Sequence, residues 1–322
     1  MIHSHRTSLS CLRVGLPALL AMLLSTYTTI SVAANAAVAT QPDHRFGVLV
    51  MAHGGGESWN REVDAAIAPL RGEFPAEVAF GMADAASLQR GVEALEAQGV
   101  DRIGVVRLFI SGDSWYERTG QIFGLVPGAP PKPAAGATDP HAGHGEHGGH
   151  SMEFWRVDSD ARFALSKDGL ADAPQMGTVL AERARALSKD PAREDVLILA
   201  HGPGDDAENQ RWLHKIDARA EAVRQALPFR RVQVMTLRED WPEKRAPAEA
   251  QVRDYVQRAT REGGRAIVIP YRVQGFGPYA EVLKGLDYAS DGRGLVPSPQ
   301  LTDWVRSEAE ALRDGGFDVA HD

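Results

Sequence analysis

The sequence predicts an α/β protein made of two tandem lobes, each built around a parallel sheet. Three observations predict this fold: short apolar segments alternate with longer helical patterns, their order occurs twice, and the copies lie a whole domain apart. The 322 residues suffice for about two domains that each bury a core. The net charge of −8 argues against a nucleic-acid partner, because phosphate binding needs a basic surface.

Residues 1–34 have the pattern of a secretory signal. Arg6 and Arg13 accompany an apolar run, Val14–Leu24, and small residues follow it. The apolar run is shorter than a typical transmembrane helix, and no later apolar segment is long enough to span a bilayer. We therefore expect a signal peptide and a periplasmic or secreted mature protein. Cys11 lies within this segment, so the mature chain has no cysteine for a disulfide or a thiolate metal site.

The first lobe is expected over residues 42–190. The apolar segment Arg45–Met51 predicts a buried strand, and His53 with the glycines after it predicts a tight turn. Further segments predict helices over residues 58–74 and 87–98, the latter with Ser87 as a cap, and strands over residues 77–80 and 102–110.

The second lobe, residues 191–322, repeats this order. The strand Asp195–Ala200 is closed by His201 and Gly202, and the two His-Gly turns lie about 150 residues apart. Helices are expected over residues 206–226 and 247–262, and strands over residues 231–237 and 265–270. The loops after the third strands also align, with Gly112 opposite Gly275 and Tyr116 opposite Tyr279. The matching order indicates an internal duplication.

An insert in the first lobe, residues 127–152, is rich in proline, glycine and alanine and cannot pack a core. It contains four histidines spaced three apart: His141, His144, His147 and His150. This spacing suits loose binding of Ni²⁺, Co²⁺, Cu²⁺ or Zn²⁺. The alternative is a polar linker in which the histidines are incidental.

Taken in order, these motifs resemble the class II tetrapyrrole metal chelatases, the sirohydrochlorin cobalt- and iron-chelatase group. The resemblance is carried by the His-Gly turns, by Asn60 and Asn209 in the helices that follow, and by the third strands with their glycine loops. It implies two chelatase-like lobes, each a four-stranded parallel sheet flanked by helices, with a tetrapyrrole in the cleft between them. It also implies that His53 and His201 ligate the metal or accept pyrrole protons.

The expected chemistry is metal insertion, which needs weak metal ligands and acceptors for two pyrrole protons. A neutral imidazole can serve in either role, and carboxylates supply further acceptors. Loops at the carboxyl ends of parallel strands surround one crevice. The candidate catalytic residues there are His53, His201, Glu57, Glu239 and Asp240. For each histidine, the alternative is a turn residue bonded to a backbone carbonyl.

Ligand binding is expected at the same strand ends. Gly54 and Gly55 are candidates for an anion-binding nest, with an ordinary tight turn as the alternative. Four aromatic residues are candidates to line a flat macrocycle, with loop packing as the alternative: Trp115, Tyr116, Tyr279 and Phe276. The second histidine that the family carries after the third strand is replaced by Trp115 and Pro278.

Two functions follow from these observations, together with a third possibility of a scaffold without a small-molecule site. One is a sirohydrochlorin cobalto- or ferrochelatase-like lyase that inserts Co²⁺, Fe²⁺ or Ni²⁺ into a tetrapyrrole. The other is a non-catalytic periplasmic carrier of heme, another tetrapyrrole or a bare metal. The expected partners are a tetrapyrrole and a divalent metal ion, Co²⁺, Fe²⁺, Ni²⁺ or Zn²⁺, as substrate or ligand. One chain supplies both lobes, so a monomer suffices.

Overall fold

A computed structural model describes residues 44–134 and 152–317. These residues form two four-stranded sheets with the orders β2-β1-β3-β4 and β6-β5-β7-β8, and all neighbouring strands are parallel. The strands are β1 (Phe46–Ala52), β2 (Ala76–Phe80), β3 (Arg102–Leu108), β4 (Arg162–Leu165), β5 (Glu194–Ala200), β6 (Arg231–Thr236), β7 (Arg265–Tyr271) and β8 (Tyr288–Ala289). The predicted α/β fold with two parallel sheets flanked by helices is confirmed.

The helices flank both sheets. They are α1 (Glu57–Ile67), α2 (Ala85–Glu96), α3 (Tyr116–Ile122), α4 (Pro174–Leu187), α5 (Asp206–Ala226), α6 (Pro242–Arg261), α7 (Tyr279–Val282) and α8 (Pro299–Gly315). Within the described residues, no helix is both long enough and apolar enough to cross a membrane. The predicted signal segment and the four histidines of the insert lie outside the described residues.

The central strands β1 and β5 carry the two candidate histidines. Residues 48–52 of β1 and 196–200 of β5 have no exposed surface, as expected for strands that are covered by helices on both faces. β1 pairs with β3 up to Ala52–Leu108, and β5 pairs with β7 up to Ala200–Tyr271. His53 and His201 therefore leave the two sheets at the same position, one residue beyond the last paired residue.

The two sheets share one apolar core. Its central cluster takes Val50 and Val106 from the first sheet and Ile198 and Ile269 from the second. A separate cluster under α2 covers the other face of the first sheet, and a third under α6 covers the other face of the second. The inner faces of both sheets are therefore buried together with the helices between them.

The last helix of each half packs on the sheet of the other half. α4 contacts α5 and β7, and a Cβ atom added at Gly177 would lie 3.2 Å from Ala222 Cβ of α5. α8 contacts β3 and α1, and its Thr302 hydroxyl donates a 2.7 Å hydrogen bond to the carbonyl of Ala66. Packing therefore crosses the boundary expected near residue 190.

Three predicted helix ends are wrong for local reasons. α1 ends at Ile67, since the chain continues as a 3₁₀ turn containing a proline. α2 is capped by Asp84, whose side chain accepts the N–H of Ser87, and not by Ser87 itself. α6 begins at Pro242, which occupies the favourable first position, and Pro247 lies inside the helix.

Candidate functional site

The two His-Gly turns have the same backbone form. Gly54 and Gly202 both have φ of +81°, a left-handed conformation that favours glycine. The turns after the second strands are also similar, because Met82 and Arg238 have φ of 59° and 58°. The backbone N–H of Met82 donates to the carbonyl of Ala52, and that of Arg238 donates to the carbonyl of His201. The two halves therefore share the left-handed backbone form of both strand-end turns.

His53 is exposed and held by its own turn. Its Nδ1 lies 2.7 Å from the carbonyl oxygen of Gly54, which can only accept, so Nδ1 carries the proton and the lone pair is on Nε2. The ring is 6.5 Å from that of Trp59, centroid to centroid. Glu57 is also exposed and pairs with Arg61 at 3.1 Å on the outer surface of α1. This histidine has the carbonyl partner considered as the alternative from sequence.

His201 has a carboxylate partner. Its Nε2 lies 2.8 Å from Oδ2 of Asp240, and the two side chains are 31% and 52% exposed. Because a carboxylate accepts, the Nε2–H donates and the lone pair is on Nδ1. The ring centroid is 6.3 Å from Trp212 and 6.0 Å from Trp241. The site in the second half is therefore an oriented, partly exposed imidazole between two indoles.

The first half uses the matching aspartate differently. Asp84 follows Met82 by two residues, as Asp240 follows Arg238, yet Asp84 is 3% exposed. Its two oxygens accept the backbone N–H groups of Ser87 and Glu153, both at 2.9 Å. Asp84 therefore caps α2, whereas Asp240 forms a hydrogen bond with the imidazole of His201.

Glu239 forms an ion pair with Arg272, and its side chain is only 10% exposed. Arg272 also lies over the ring of Tyr279, 5.5 Å from its centroid. Burial raises the pKa of the Tyr279 hydroxyl, and the ring is fully buried, so it has no face open to a ligand. Phe276 is half-buried and stacks on Tyr288 with a centroid distance of 6.2 Å.

The aromatic loop of the first half is more open. Trp115 and Tyr116 are each 37% exposed, and Trp115 has φ of 59°, a strained conformation for an aromatic residue. The guanidinium of Arg107 lies 4.6 Å from the centroid of Tyr116 and donates to four backbone carbonyls: Gly112, Ser114, Ser166 and Lys167. Burial lowers the pKa of Arg107 to about 10. This arginine fixes the loop that presents the two aromatic rings.

The two halves touch near these strand ends. Gln274, just beyond β7, donates a 3.0 Å hydrogen bond to Glu62 of α1. Arg211 of α5 pairs at 3.3 Å with Asp113, just beyond β3. Each first helix therefore lies beside the third-strand loop of the other half.

Several predicted binding features are not brought together. The N–H of Gly55 donates to the side chain of Asn60 at 2.9 Å, so it is already used within the turn. Among residues 44–134 and 152–317, no group of three histidine, cysteine, aspartate or glutamate side chains is placed to hold a metal ion. Two surface depressions of about 450 and 330 Å³ lie away from the His turns, against α6 and between α5 and β6.

Two solved structures have the same fold as this chain. SirB from Bacillus subtilis, solved with Fe³⁺, is 14% identical and superposes with a TM-score of 0.56, covering 86% of this chain and 100% of its own. The sirohydrochlorin chelatase SirB from Bacillus subtilis subspecies spizizenii, in complex with cobalt, is 14% identical with a TM-score of 0.51, covering 85% and 100%. The likeness shows the fold. No protein-family model matches the chain, and no curated protein matches it in sequence.

Sequence reasoning missed two residues near the strand ends. Arg238 inserts its guanidinium beneath the His201 turn, and no motif in the sequence pointed to it. Glu308 of α8 is partly buried near Asp168 and Asp172 of the first half. No sequence signal points to Glu308, because its position depends on the packing of α8 on the other sheet.

Proposed function

We propose that the protein is a chelatase-like protein that holds a divalent metal ion at His201 and presents it to a tetrapyrrole. The observation that carries the proposal is the hydrogen bond between His201 and Asp240 at the carboxyl end of β5. Ligand sites of open parallel sheets lie at this end of the strands. The chelatase SirB, which shares the fold, has been solved in complex with cobalt.

The His201–Asp240 pair suits both parts of metal insertion. With Nε2–H bound to the carboxylate, Nδ1 is the atom that ligates the metal, and the hydrogen bond fixes the orientation of the ring. A single imidazole, with water completing the coordination, holds a metal loosely enough to pass it on. After release of the metal, the same nitrogen accepts a pyrrole proton, and Asp240 stabilises the resulting imidazolium. Co²⁺, Fe²⁺, Ni²⁺ and Zn²⁺ all suit an imidazole ligand.

The first half has a supporting role in this proposal. His53 is oriented by a neutral carbonyl and not by a carboxylate. In this proposal its Nε2 takes the second pyrrole proton. The exposed rings of Trp115 and Tyr116 offer apolar faces for the macrocycle, which is planar.

A second candidate is a carrier that binds a metallated tetrapyrrole without turnover. The predicted signal segment favours it, because a protein exported to the periplasm would meet finished tetrapyrroles. We propose periplasmic or secreted localisation on that segment alone.

The assay that tests the proposal follows free sirohydrochlorin by absorbance after Co²⁺ is added to the purified protein. We expect catalysed loss of the free form, about tenfold slower in His201→Ala and in Asp240→Asn, because each removes part of the acceptor pair. His53→Ala should have a smaller effect. His214→Ala removes an exposed histidine of the same half and serves as the matched control.

The outcomes separate the candidates. Insertion at the wild-type rate in His201→Ala would contradict the proposed role of that residue. A shift of the heme Soret band without any metal insertion would identify a carrier. No spectral change with either tetrapyrrole would contradict both functions.

A further inference from the structure

Arg238 lies where the two turns of the second half meet. It follows β6 by two residues, is 8% exposed, and donates its backbone N–H to the carbonyl of His201 at 2.7 Å. The next turn residues along the chain lead to Asp240. Arg238 therefore lies between the segment that carries the imidazole and the segment that carries its carboxylate partner.

Its guanidinium fills the space beneath the His201 turn. Nε donates to the carbonyl of Pro203, and Nη2 donates to the carbonyl of Gly204 at 2.6 Å and to Oδ1 of Asp206 at 2.8 Å. A Cβ atom added at Gly202 would lie 3.1 Å from the Arg238 Cδ, so the aliphatic part of the side chain is packed against the turn as well. The planar guanidinium satisfies these three acceptors from two nitrogens in a fixed geometry, whereas a lysine offers a single nitrogen.

Lys244 of α6 reinforces the same turn from the outer side. Its Nζ lies 2.7 Å from the carbonyl of Gly204 and 2.8 Å from Oδ1 of Asp206. The two cations lower the pKa of the Asp206 carboxyl, chiefly through the hydrogen bond from Lys244. Lys244 reaches only these acceptors, whereas Arg238 also joins the turn to the segment before Asp240.

The first half supplies an internal comparison. Met82 has the same left-handed backbone and the same 8% exposure, but its side chain joins the apolar cluster under α2. In that half the histidine bonds to a carbonyl and the matching aspartate caps a helix. The left-handed turn is thus common to both halves, whereas the guanidinium and the His–Asp pair occur together only in the second.

We propose that Arg238 is a positioning residue, which holds the His201 turn against the Asp240 turn and so sets the hydrogen bond between the two side chains. The expected effect of Arg238 on metal binding rests on the function proposed above. The hydrogen bond itself is a property of the metal-free protein. It can be measured whether or not the protein binds a metal.

The first measurement is the ¹⁵N chemical shift of the His201 ring in the full-length protein, which reports the nitrogen that carries the proton. The signal is assigned by its loss in His201→Gln. We expect the Nε2–H tautomer in the wild type and a mixture of tautomers in Arg238→Met, which copies the residue of the first half. Arg306→Met breaks an ion pair with Glu73 elsewhere and should leave the signal unchanged.

A folded Arg238→Met protein with the wild-type tautomer would overturn the proposal and leave Arg238 a merely structural residue. If Arg238→Met does not fold, Arg238→Lys replaces it in the test, because lysine keeps the positive charge but lacks the planar guanidinium. A shifted tautomer population in Arg238→Lys would support the positioning role. An unchanged population would overturn it.

The second measurement is a double-mutant cycle on Co²⁺ affinity. We expect Arg238→Met to weaken binding about tenfold in the wild type and less than about twofold in Asp240→Asn, since both changes act through the same hydrogen bond. Equal effects in both backgrounds would overturn the positioning role. A wild-type protein whose Co²⁺ binding does not depend on His201 would instead contradict the proposed function, and the ring signal would still decide the role of Arg238.

Discussion

At the scale of single residues, surroundings decide what a side chain does. Asp84 and Asp240 occupy matching positions, but one is buried and caps α2 while the other meets an imidazole. The sequence predicted His201 and Asp240 as site residues, and the structure places them 2.8 Å apart. Their pairing could not be predicted, because the identical spacing in the first half leads to a different contact. The burial of Tyr279 could not be predicted either. Tyr279 aligns with Tyr116, which is partly exposed, yet Tyr279 itself is fully buried.

Glu308 makes the stability of the protein depend on pH. Burial, with Asp168 and Asp172 nearby, raises the pKa of its carboxyl from 4.5 to about 7, and Arg107 opposes the shift. A raised acid pKa favours the folded state when the group is protonated, so this contribution is complete below about pH 4.5 and lost as the pH rises through about 7. Glu308→Gln should therefore be more stable than the wild type at pH 8, by about 1–2 kcal/mol, and nearly equal at pH 4.5.

Thermal unfolding at a series of pH values measures this difference. Glu310→Gln, two residues further along α8 and exposed, is the matched control and should show no such trend. A difference between Glu308→Gln and the wild type that stays constant from pH 4.5 to pH 8 would contradict the shifted pKa.

At the scale of elements, the sequence predicted the first three strands of each half and the His-Gly turns because their signals are local. The short edge strands β4 and β8 carry no such signal, and a fourth strand in each half was expected only from the family resemblance. Buried parallel strands read as continuous apolar runs, and left-handed turns favour glycine. The helix ends were less predictable, since competing caps and prolines lie within a few residues of each other. Asp84 and Ser87 both cap helices well, and only the fold shows that Asp84 accepts the N–H of Ser87.

The turn geometry makes Gly202 irreplaceable. Its φ is +81°, and an added Cβ atom would lie 2.6 Å from Thr236 Cβ. We expect Gly202→Ala to lower the free energy of unfolding by about 2–4 kcal/mol through strain and overpacking. Gly56→Ala is the control, because Gly56 has an ordinary φ of −66° and nothing within 4 Å of an added Cβ. Urea unfolding of both variants tests this, and equal losses would contradict the account of the turn.

At the scale of the whole molecule, the sequence predicted two similar halves, but it did not predict that the last helix of each half packs on the sheet of the other. The order of motifs repeats in the sequence, but the sequences of α4 and α8 do not indicate which sheet each helix covers. Both sheets contribute to one central core, so neither half has a complete core of its own. This arrangement also explains why Glu308, from the end of the chain, lies near residues of the first half.

The exchange predicts that the halves fold together. A fragment of residues 42–190 lacks α8, which contacts β3 and α1, and it carries α4 without the helix α5 on which α4 packs. We expect this fragment alone to show no cooperative unfolding transition by circular dichroism, and to gain one when residues 191–322 are added. A fragment that unfolds cooperatively by itself would contradict the shared core.

The location of a bound metal ion tests the central claim most directly. We would soak crystals of the full-length protein with Co²⁺ and measure anomalous scattering at the cobalt edge. The account predicts a peak roughly 2.0–2.2 Å from Nδ1 of His201, with Asp240 still bound to Nε2. Cobalt bound elsewhere on the protein, with no peak beside His201, would contradict it.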